Sequence, residues 1–407
     1  MRVELASAVT ICCVCCALAL SACGPSGGSD TASAPEPTPA APNPSTTQLD
    51  KPTEATPVVP DAAGQTGPTT TGAPKAPFGR LIVTGLAGTQ LDEATRQALA
   101  KGRIGGIILM GTNVASVDQV RQLTSDVRQA ASQAPKSFKP IICIDQEGGT
   151  VDRLRALPLE NRIPSARELA AKPDALPGVA QAVGHYLKDM GINVDLAPVL
   201  DLDVPPYNPV VGTRSFGAAP QSVARLGRLF VQGLDSAGVR SVGKHFPGHG
   251  AVSEDSHTVL PTSHCSTEDL QRDHIAPFRE LIEDRTLGAV MTAHVVYTAL
   301  DRERPATLSR QVVTALLREE LGFDGVVFTD SLAMGAVASS GSLGKVAVES
   351  WAAGCDVVLT TDGAWVADGI LEEGQQALDE GPLSVEQVER SCKRVDRWLA
   401  DGAAGRH

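Results

Sequence analysis

The sequence predicts an α/β fold, a single (β/α)8 barrel of the TIM type that follows a signal peptide and a disordered linker. After residue 78, eight short, continuous apolar runs alternate with amphipathic stretches across about 320 residues. Continuous apolar runs are typical of parallel strands that are buried on both faces, and eight such units close into a barrel. A doubly wound open sheet is the alternative, but no Gly-x-Gly-x-x-Gly turn follows the first run.

The elements of this barrel can be placed in order along the chain. The predicted strands are Leu81–Gly85, Gly106–Met110, Ile141–Asp145, Val194–Pro198, Val239–His245, Ala289–His294, Val326–Asp330 and Asp356–Thr361. The stretches with apolar residues at helical spacing predict crossover helices. These helices are Leu91–Lys101, Val117–Ala131, Ala180–Met190, Gln221–Gly238, Thr267–Ile282, Ser309–Leu321 and Val346–Ala353.

The first 22 residues have the pattern of a lipoprotein signal peptide. Arg2 precedes an apolar run, Ala6–Leu20, that is too short to span a membrane stably, and Ser21-Ala22 stands directly before Cys23. The pattern predicts acylation of Cys23 in the cell envelope, with the chain lipid-anchored to the outer face of the bacterial cytoplasmic membrane. The alternative is an ordinary secretory signal in which Cys23 is incidental.

Residues 23–77 form the predicted linker, and residues 78–402 form the predicted barrel domain. The linker consists almost wholly of Pro, Thr, Ala, Gly and Ser. Such a composition cannot bury enough apolar surface to offset the entropy of ordering, so we expect a disordered tether. It would let the barrel work away from the membrane, with the lipid anchor as the only membrane contact.

Charge and cysteine content narrow the possible partners. The formal net charge of −12 argues against nucleic acid or anionic lipid head groups as ligands. Four cysteines fall in the predicted barrel: Cys143, Cys265, Cys355 and Cys392. Export would permit a disulfide, and the sequence leaves open whether Cys265 and Cys392 form one.

The stretch from Lys244 to Gly250 has the composition of a functional loop. His245 and His249 have the spacing of a helical zinc pair, but Pro247 and Gly248 between them disfavour a shared helix face. A metal-dependent hydrolase that uses His245, His249 and His257 is therefore a minority alternative, which sensitivity to chelators would test.

Asp255 and His257 form the stronger candidate pair. A carboxylate two residues from an imidazole can accept its ring N–H, fix its tautomer and favour its charged form. Such a histidine can donate a proton near neutral pH.

Polar residues at the ends of several predicted strands point to one site. In a parallel barrel, the residues at the carboxyl ends of the strands meet at one rim, where the active sites of such barrels lie. The polar strand-end residues are Asp145, Asp201, Lys244, His245, His294 and Asp330. Asp330 alone could equally be the N-cap of the next helix.

The stretch Lys244–Gly250 followed by Asp255-Ser256-His257 resembles the signature of family 3 glycoside hydrolases, in particular the exo-acting β-N-acetylglucosaminidases. The resemblance implies retaining hydrolysis through a covalent glycosyl-aspartate. It makes Asp330 the nucleophile, His257 the acid/base and Asp255 its partner.

The resemblance also implies a set of sugar-binding residues. They are Asp145, Arg153, Arg214, Lys244, His245 and His294. Thr150 and Thr213 stand where the family often has arginine and aspartate, respectively.

The implied substrate is a β-N-acetylglucosaminyl oligosaccharide or a muropeptide from peptidoglycan. We expect a monomer that acts without cofactor or metal. The sequence leaves open the aglycone preference and whether phosphate can replace water as acceptor. A broader β-glycosidase and a non-catalytic sugar-binding lipoprotein are the remaining alternatives, and the second would have no need of a nucleophile opposite a proton donor.

Overall fold

The computed structural model describes residues 77–159, 162–205, 207–338 and 341–400. The predicted signal peptide, Cys23 and the linker before Pro77 lie outside the described residues, as do residues 401–402 at the predicted end of the barrel domain.

Eight parallel strands form the barrel, and each lies within or overlaps one of the predicted apolar runs. The strands are β1 (Ile82–Thr84), β2 (Gly106–Leu109), β3 (Ile141–Ile144), β4 (Val194–Asp195), β5 in two segments (Arg240–Ser241 and Gly243–Phe246), β6 (Ala289–Thr292), β7 (Val326–Ser331) and β8 (Val357–Leu359). Most of their residues are buried, as expected of strands covered on both faces.

Strand pairing follows the order of the chain and returns to its beginning. Each strand pairs in parallel with the next, and β8 pairs with β1 through Ile82 opposite Val358. The first segment of β5 pairs with β4, and the second pairs with β6. Because both ends of the hydrogen-bonded row belong to β5, the sheet wraps around to meet itself. The prediction of a TIM-type barrel is confirmed.

Helices surround the strands. The α-helices are α1 (Glu93–Ala100), α2 (Val117–Ser132), α3 (Ala166–Ala170), α4 (Leu176–Asp189), α5 (Pro220–Ala237), α6 (Thr267–Asp269), α7 (Ala276–Glu283), α8 (Gly335–Ala338), α9 (Leu343–Ala353), α10 (Ala367–Glu380) and α11 (Val385–Ala400). Two further segments are π-helical, Leu270–His274 and Gln311–Glu320. All seven predicted helices overlap helical segments of the structure.

Short elements complete the described chain. Turns of 3-10 helix occupy Phe78–Leu81, Gly111–Asn113, Pro173–Ala175, Gly212–Arg214, His249–Ala251, Ala306–Leu308 and Ala364–Val366. Two small sheets lie outside the barrel. An antiparallel hairpin joins Gln146–Gly148 to Val151–Asp152, and a parallel pair joins Thr262–Ser263 to Val296–Tyr297.

Local sequence explains where several helices begin and end. The Ser116 side chain accepts a hydrogen bond from the backbone N–H of Gln119 at the start of α2, and Ser342 does the same at the start of α9. Helix α5 ends at Gly238, whose φ of 80° is left-handed and suits glycine.

The sequence did not predict α10 and α11, which follow the last strand. Helix α11 is rich in charged residues but buries one stripe that contains Val388, Val395 and Leu399, and it packs near β7. Its burial against the barrel, rather than its mean hydropathy, stabilises it.

Two further findings bear on predictions from the sequence. The four cysteines that the structure describes are free thiols. Between Pro77 and Ala400, none of the helices described is long and apolar enough to cross a bilayer.

Candidate active site

A cavity of about 540 Å³ lies at the carboxyl ends of the barrel strands. Seven of the predicted site residues line it: Asp145, Arg153, Arg214, Lys244, His245, His257 and Asp330. Apolar side chains from β2, β6 and β8 form part of its wall, among them Ile108, Met291 and Leu359. Apolar walls with a few converging polar groups are typical of small-molecule sites.

The barrel strands position the polar residues because each emerges at or just after a strand end. Asp145 follows β3, Lys244 and His245 lie in the second segment of β5, and Asp330 lies near the end of β7. Arg214 comes from the 3-10 turn that follows β4. These strands are fixed by their parallel pairing, so the rim of the cavity is rigid on this side.

Five of the lining side chains form a continuous network of charges. Lys244 Nζ lies 2.6 Å from Asp145 Oδ1 and 2.7 Å from Glu147 Oε1. Arg214 contacts both carboxylate oxygens of Glu147, at 2.7 and 2.8 Å. Arg153 lies 3.8 Å from Asp145 Oδ2. The network presents both hydrogen-bond donors and acceptors to the cavity, as binding of sugar hydroxyls requires.

The charges in this network hold one another in the ionised state. Burial alone would raise the pKa of Glu147, but the charges of Arg214 and Lys244 outweigh burial and hold that pKa far below its usual range. Burial likewise opposes the charge of Lys244, but Asp145 and Glu147 raise the pKa of Lys244 overall. Glu147, a buried carboxylate with two cationic partners, is therefore anionic at neutral pH.

Glu147 is a site residue that sequence reasoning missed. It stands two positions after Asp145, in the Asp-Gln-Glu-Gly-Gly stretch, and it lines the cavity with 4% of its side chain exposed. A second acid so close to a strand end was the available signal. Its cationic partner Arg214 is 67 residues away, and only the fold brings the two together.

Asp201 organises the histidines of the β5 loop from behind the cavity. It is fully buried and accepts a hydrogen bond from His245 Nδ1 at 2.6 Å and one from the backbone N–H of His249 at 2.7 Å. Burial opposes its charge, but His245 above all lowers the pKa of Asp201 overall. Because Nδ1 of His245 faces Asp201, Nε2 is the ring nitrogen left for a ligand.

Asp330 has the properties of an ionised carboxylate held in place. Its Oδ1 atom accepts a hydrogen bond of 2.7 Å from the backbone N–H of Ser331. Burial alone would raise its pKa, but His245, His294 and the Ser331 N–H lower the pKa of Asp330 overall. Its second oxygen, Oδ2, remains available to the cavity.

Asp255 and His257 form the pair that their spacing predicts. Asp255 Oδ1 lies 2.7 Å from His257 Nδ1 and also accepts the backbone N–H of His257 at 2.8 Å. The side chain of His257 is 59% exposed and lines the same cavity as Asp330. The contact with Asp255 fixes Nδ1–H, so Nε2 is the nitrogen able to exchange a proton with a ligand.

His294 is a predicted sugar ligand that the structure does not bring to the cavity wall. The ring is fully buried, with Nδ1 at 2.8 Å from Thr307 Oγ1 and Nε2 at 3.0 Å from the carbonyl oxygen of Ser331. Burial lowers the pKa of His294. With both nitrogens bonded to protein, it supports the strand end that carries Asp330.

The alternative of a metal centre depends on His245, His249 and His257. Throughout the part of the chain that the structure describes, no group of three or more His, Cys, Asp or Glu residues is arranged to hold a metal ion. Two of these rings have other partners: His245 pairs with Asp201, and His249 with Asn208 and Ser256.

A barrel with a buried charge network, a strand-end carboxylate and an Asp–His pair around one cavity has the features of a glycoside hydrolase. The sequence profile described as "Glycosyl hydrolase family 3 N terminal domain" matches residues 76–398. The chain therefore belongs to glycoside hydrolase family 3.

Known proteins support this membership. A β-hexosaminidase of Alkalilimnicola ehrlichii is 38% identical over 327 residues, which are 78% of this chain and 90% of that protein. The structure of a family 3 β-N-acetylglucosaminidase from Paenibacillus sp. FPU-7 matches with a TM-score of 0.74 and 39% identity over 81% of this chain and 63% of that one.

A third match is the β-N-acetylhexosaminidase from Beutenbergia cavernae, with a TM-score of 0.74 and 30% identity over 80% of this chain and 98% of that one. The predicted family and the enzyme class, a glycoside hydrolase of the β-N-acetylhexosaminidase type, are confirmed.

Proposed function

We propose that the protein is a retaining exo-β-N-acetylglucosaminidase that removes terminal β-linked N-acetylglucosamine from peptidoglycan or muropeptide fragments. The observation that carries this proposal is that Asp330 and His257 line one cavity. One is a fixed carboxylate, and the other is an imidazole oriented by Asp255 at 2.7 Å. A carboxylate nucleophile and a separate proton donor are what a retaining glycosidase needs.

In the first step, Asp330 Oδ2 attacks the anomeric carbon and the bond from that carbon to the aglycone oxygen breaks. His257 Nε2–H gives its proton to the departing oxygen, so the ring becomes neutral. In the second step, a water molecule attacks the anomeric carbon, His257 Nε2 takes the water proton, and the ester bond to Asp330 breaks. The sugar leaves with its original anomeric configuration.

The charge network supports recognition of one terminal sugar. Asp145 can accept hydrogen bonds from sugar hydroxyls, and Arg153, Lys244 and His245 can donate them. All four line the cavity beside Asp330. We assign the sugar-binding role to these residues together with Arg214, which also holds Glu147 in place at the cavity wall.

The proposed location is the outer face of the cytoplasmic membrane, through acyl chains on Cys23. The residues before Cys23, Leu20-Ser21-Ala22, support lipidation. A lipid-anchored barrel on a tether would meet cell-wall fragments outside the cytoplasm, which agrees with the proposed substrate.

The experiment that tests the proposal compares Asp330→Asn with His257→Ala. Asp330→Asn should abolish turnover of every aryl and alkyl N-acetylglucosaminide, because the covalent intermediate cannot form. His257→Ala should lower kcat/KM for a methyl aglycone strongly but should largely spare kcat/KM for a dinitrophenyl aglycone, which needs no proton to leave.

Product stereochemistry provides the independent measurement. NMR of the first-formed sugar should show the β-anomer with the wild type. Release of the α-anomer would refute the nucleophile, and equal total loss of kcat/KM for both aglycones in His257→Ala would refute the acid/base. A wild type that cleaves glucosides as fast as N-acetylglucosaminides would favour the broader β-glycosidase.

A further inference from the structure

His249 is a buried titratable group that the proposed chemistry does not use. Its side chain lies in the loop after β5, with 2% of the residue exposed, and both ring nitrogens have protein partners. Nδ1 lies 3.0 Å from Asn208 Nδ2, and Nε2 lies 2.8 Å from Ser256 Oγ. Asn208 and Ser256 are themselves buried, with 2% and 1% exposed.

The neighbours of Asn208 determine which nitrogen of His249 carries the proton. Asn208 Oδ1 accepts the backbone N–H of Val210 at 2.8 Å, and Nδ2 donates to the carbonyl oxygen of Glu254 at 3.2 Å. The Nδ2 end therefore faces His249 as a donor, so His249 Nδ1 must be an unprotonated acceptor. The proton of the neutral ring then lies on Nε2, which donates to Ser256 Oγ.

Burial and the charge of His245 lower the pKa of His249 to about 4, in agreement with a neutral ring. His249 lines the cavity, but its Nδ1 accepts from Asn208 and its Nε2–H donates to Ser256, so the neutral ring has no free proton to give to a substrate. His249 is therefore not the proton donor.

Ser256 is the buried member of the loop that carries the acid/base. Its neighbours on either side, Asp255 and His257, have side chains that are 39% and 59% exposed. The backbone of this loop is held on the other side by α8, where the N–H groups of Gly335 and Ala336 donate to the carbonyl oxygens of His257 and Ser256 at 3.3 Å. The hydroxyl of Ser256 ties the loop to His249 in the 3-10 turn that follows β5.

We propose that His249 is a positioning residue: its neutral ring donates an N–H to Ser256 and thereby fixes the loop that carries the acid/base His257. This role rests on the proposed function. The contact sets where the His257 imidazole stands above the cavity, and the orientation of a proton donor strongly affects the rate of the step that uses it. Ser256 Oγ bonds to His249 and not to Asp145, Lys244 or His245, so loss of this hydroxyl should leave sugar affinity unchanged.

Ser256→Ala tests the proposal because it removes the acceptor and leaves the ring N–H of His249 unpaired in the interior. We expect kcat/KM for a methyl N-acetylglucosaminide to fall about tenfold, while kcat/KM for the dinitrophenyl compound changes less than about twofold. The dissociation constant of N-acetylglucosamine should be unchanged. Ser256→Cys, which keeps the shape of the side chain with a somewhat larger atom that is a weak acceptor, should give the same pattern in milder form.

The matched control is Ser253→Ala, which removes an exposed hydroxyl in the same loop that contacts only the neighbouring Glu254, at 3.4 Å. It should leave both substrates and sugar binding unchanged. A general loosening of the fold would instead lower kcat/KM for both aglycones together and weaken sugar binding.

The outcomes separate this inference from the proposed function. If His257→Ala distinguishes the two aglycones but Ser256→Ala and Ser256→Cys do not, the positioning role is wrong and the proposed function stands. If His257→Ala itself does not distinguish them, the acid/base assignment fails, and the role of His249 fails with it.

Discussion

Lys244 Nζ lies 2.7 Å from Glu147 Oε1, with 2% and 4% of the two side chains exposed. The same carboxylate accepts hydrogen bonds from Nε and Nη2 of Arg214. Ion pairs in which one buried carboxylate serves two cations are costly to disrupt. Removal of the anion leaves two buried positive charges with fewer partners. The network is therefore a structural support as well as part of the sugar site.

Glu147→Gln tests this support. We expect the free energy of unfolding to fall by about 3–5 kcal/mol, the range seen when one partner of a buried ion pair is removed. Sugar binding should weaken as well, since Lys244 and Arg214 would shift toward Asp145. Urea unfolding and N-acetylglucosamine binding are the measurements.

The difference in the free energy of unfolding between the wild type and Glu147→Gln should depend on pH in a definite direction. The folded pKa of Glu147 is lowered, so its contribution is complete above the ordinary glutamate value of about 4.3 and is lost as the pH falls toward the lowered folded value. The stability gap between wild type and Glu147→Gln should therefore narrow on acidification. Glu93→Gln, at an exposed pair 3.8 Å from Arg96, is the control and should cost less than about 1 kcal/mol. A gap that widens at low pH would contradict the assignment.

Gly335→Ala probes the contact between α8 and the loop of the acid/base. A Cβ added at Gly335 would lie 2.9 Å from the carbonyl oxygen of His257 and 3.2 Å from that of Thr258. Because these are backbone atoms, the loop has to shift, and a shift of the proton donor by about 1 Å can lower the rate about a hundredfold. We expect the loss in kcat/KM for a methyl N-acetylglucosaminide.

Gly178→Ala in α4 is the matched control, because no atom lies within 4 Å of the added Cβ. It should leave activity unchanged and stabilise the helix by about 0.5–1 kcal/mol. Wild-type kcat/KM in Gly335→Ala would mean that the loop is not held by this contact during catalysis.

The sequence predicted the parts of this molecule that depend on local periodicity. Every barrel strand lay in or overlapped a predicted run, and Asp145, Lys244 and Asp330 fell at strand ends because parallel strands place their carboxyl ends on one rim. The pairing of Asp255 with His257 is also local, because two residues in one turn are necessarily close.

The parts that could not be predicted depend on contacts between distant loops. The pairs Arg214–Glu147 and Asn208–His249 join residues 67 and 41 positions apart, and loop conformation is not encoded by hydrophobic spacing. For His294 the position at a strand end was predicted, but the surroundings of the side chain were not. His294 follows the end of a strand, as predicted, but both ring nitrogens bond to Thr307 and Ser331, and the residue does not line the cavity.

Cys23→Ala tests the predicted lipid anchor. If Cys23 carries two or more acyl chains, the wild type should remain with the membrane fraction, since two chains hold a protein stably where one is marginal. The variant should appear in the soluble fraction or as an uncleaved precursor on intact-mass measurement. Cys265→Ser is the control and should fractionate as the wild type does. A wild type that is wholly soluble, with its signal cleaved at another site, would end the lipoprotein hypothesis.

The activity should depend on pH through two ionisable groups, Asp330 and His257. The first chemical step needs Asp330 ionised and His257 protonated, so kcat/KM for a methyl N-acetylglucosaminide should follow a bell-shaped curve. The acidic limb belongs to Asp330. Because the pKa of Asp330 is lowered despite burial, this limb should lie below the ordinary aspartate value of about 3.9. The alkaline limb belongs to loss of the proton from His257.

Asp255→Asn separates the two limbs, because it removes a charge beside His257 but keeps the size of the side chain. Burial opposes the charge of Asp255, but the hydrogen bonds from His257 lower the pKa of Asp255 overall, so it is anionic at neutral pH. An anion beside an imidazole favours its protonated form, so the alkaline limb should move to lower pH in Asp255→Asn while the acidic limb stays in place.

The rate should also fall more for the methyl than for the dinitrophenyl aglycone, since the remaining donor is less well oriented. Asp118→Asn, whose side chain is 90% exposed on α2, should change neither limb. An unchanged alkaline limb together with an unchanged rate in Asp255→Asn would show that the pair is not the proton donor. Because His249 is buried, with both ring nitrogens bonded to protein, the donor would then have to be sought elsewhere on the cavity wall.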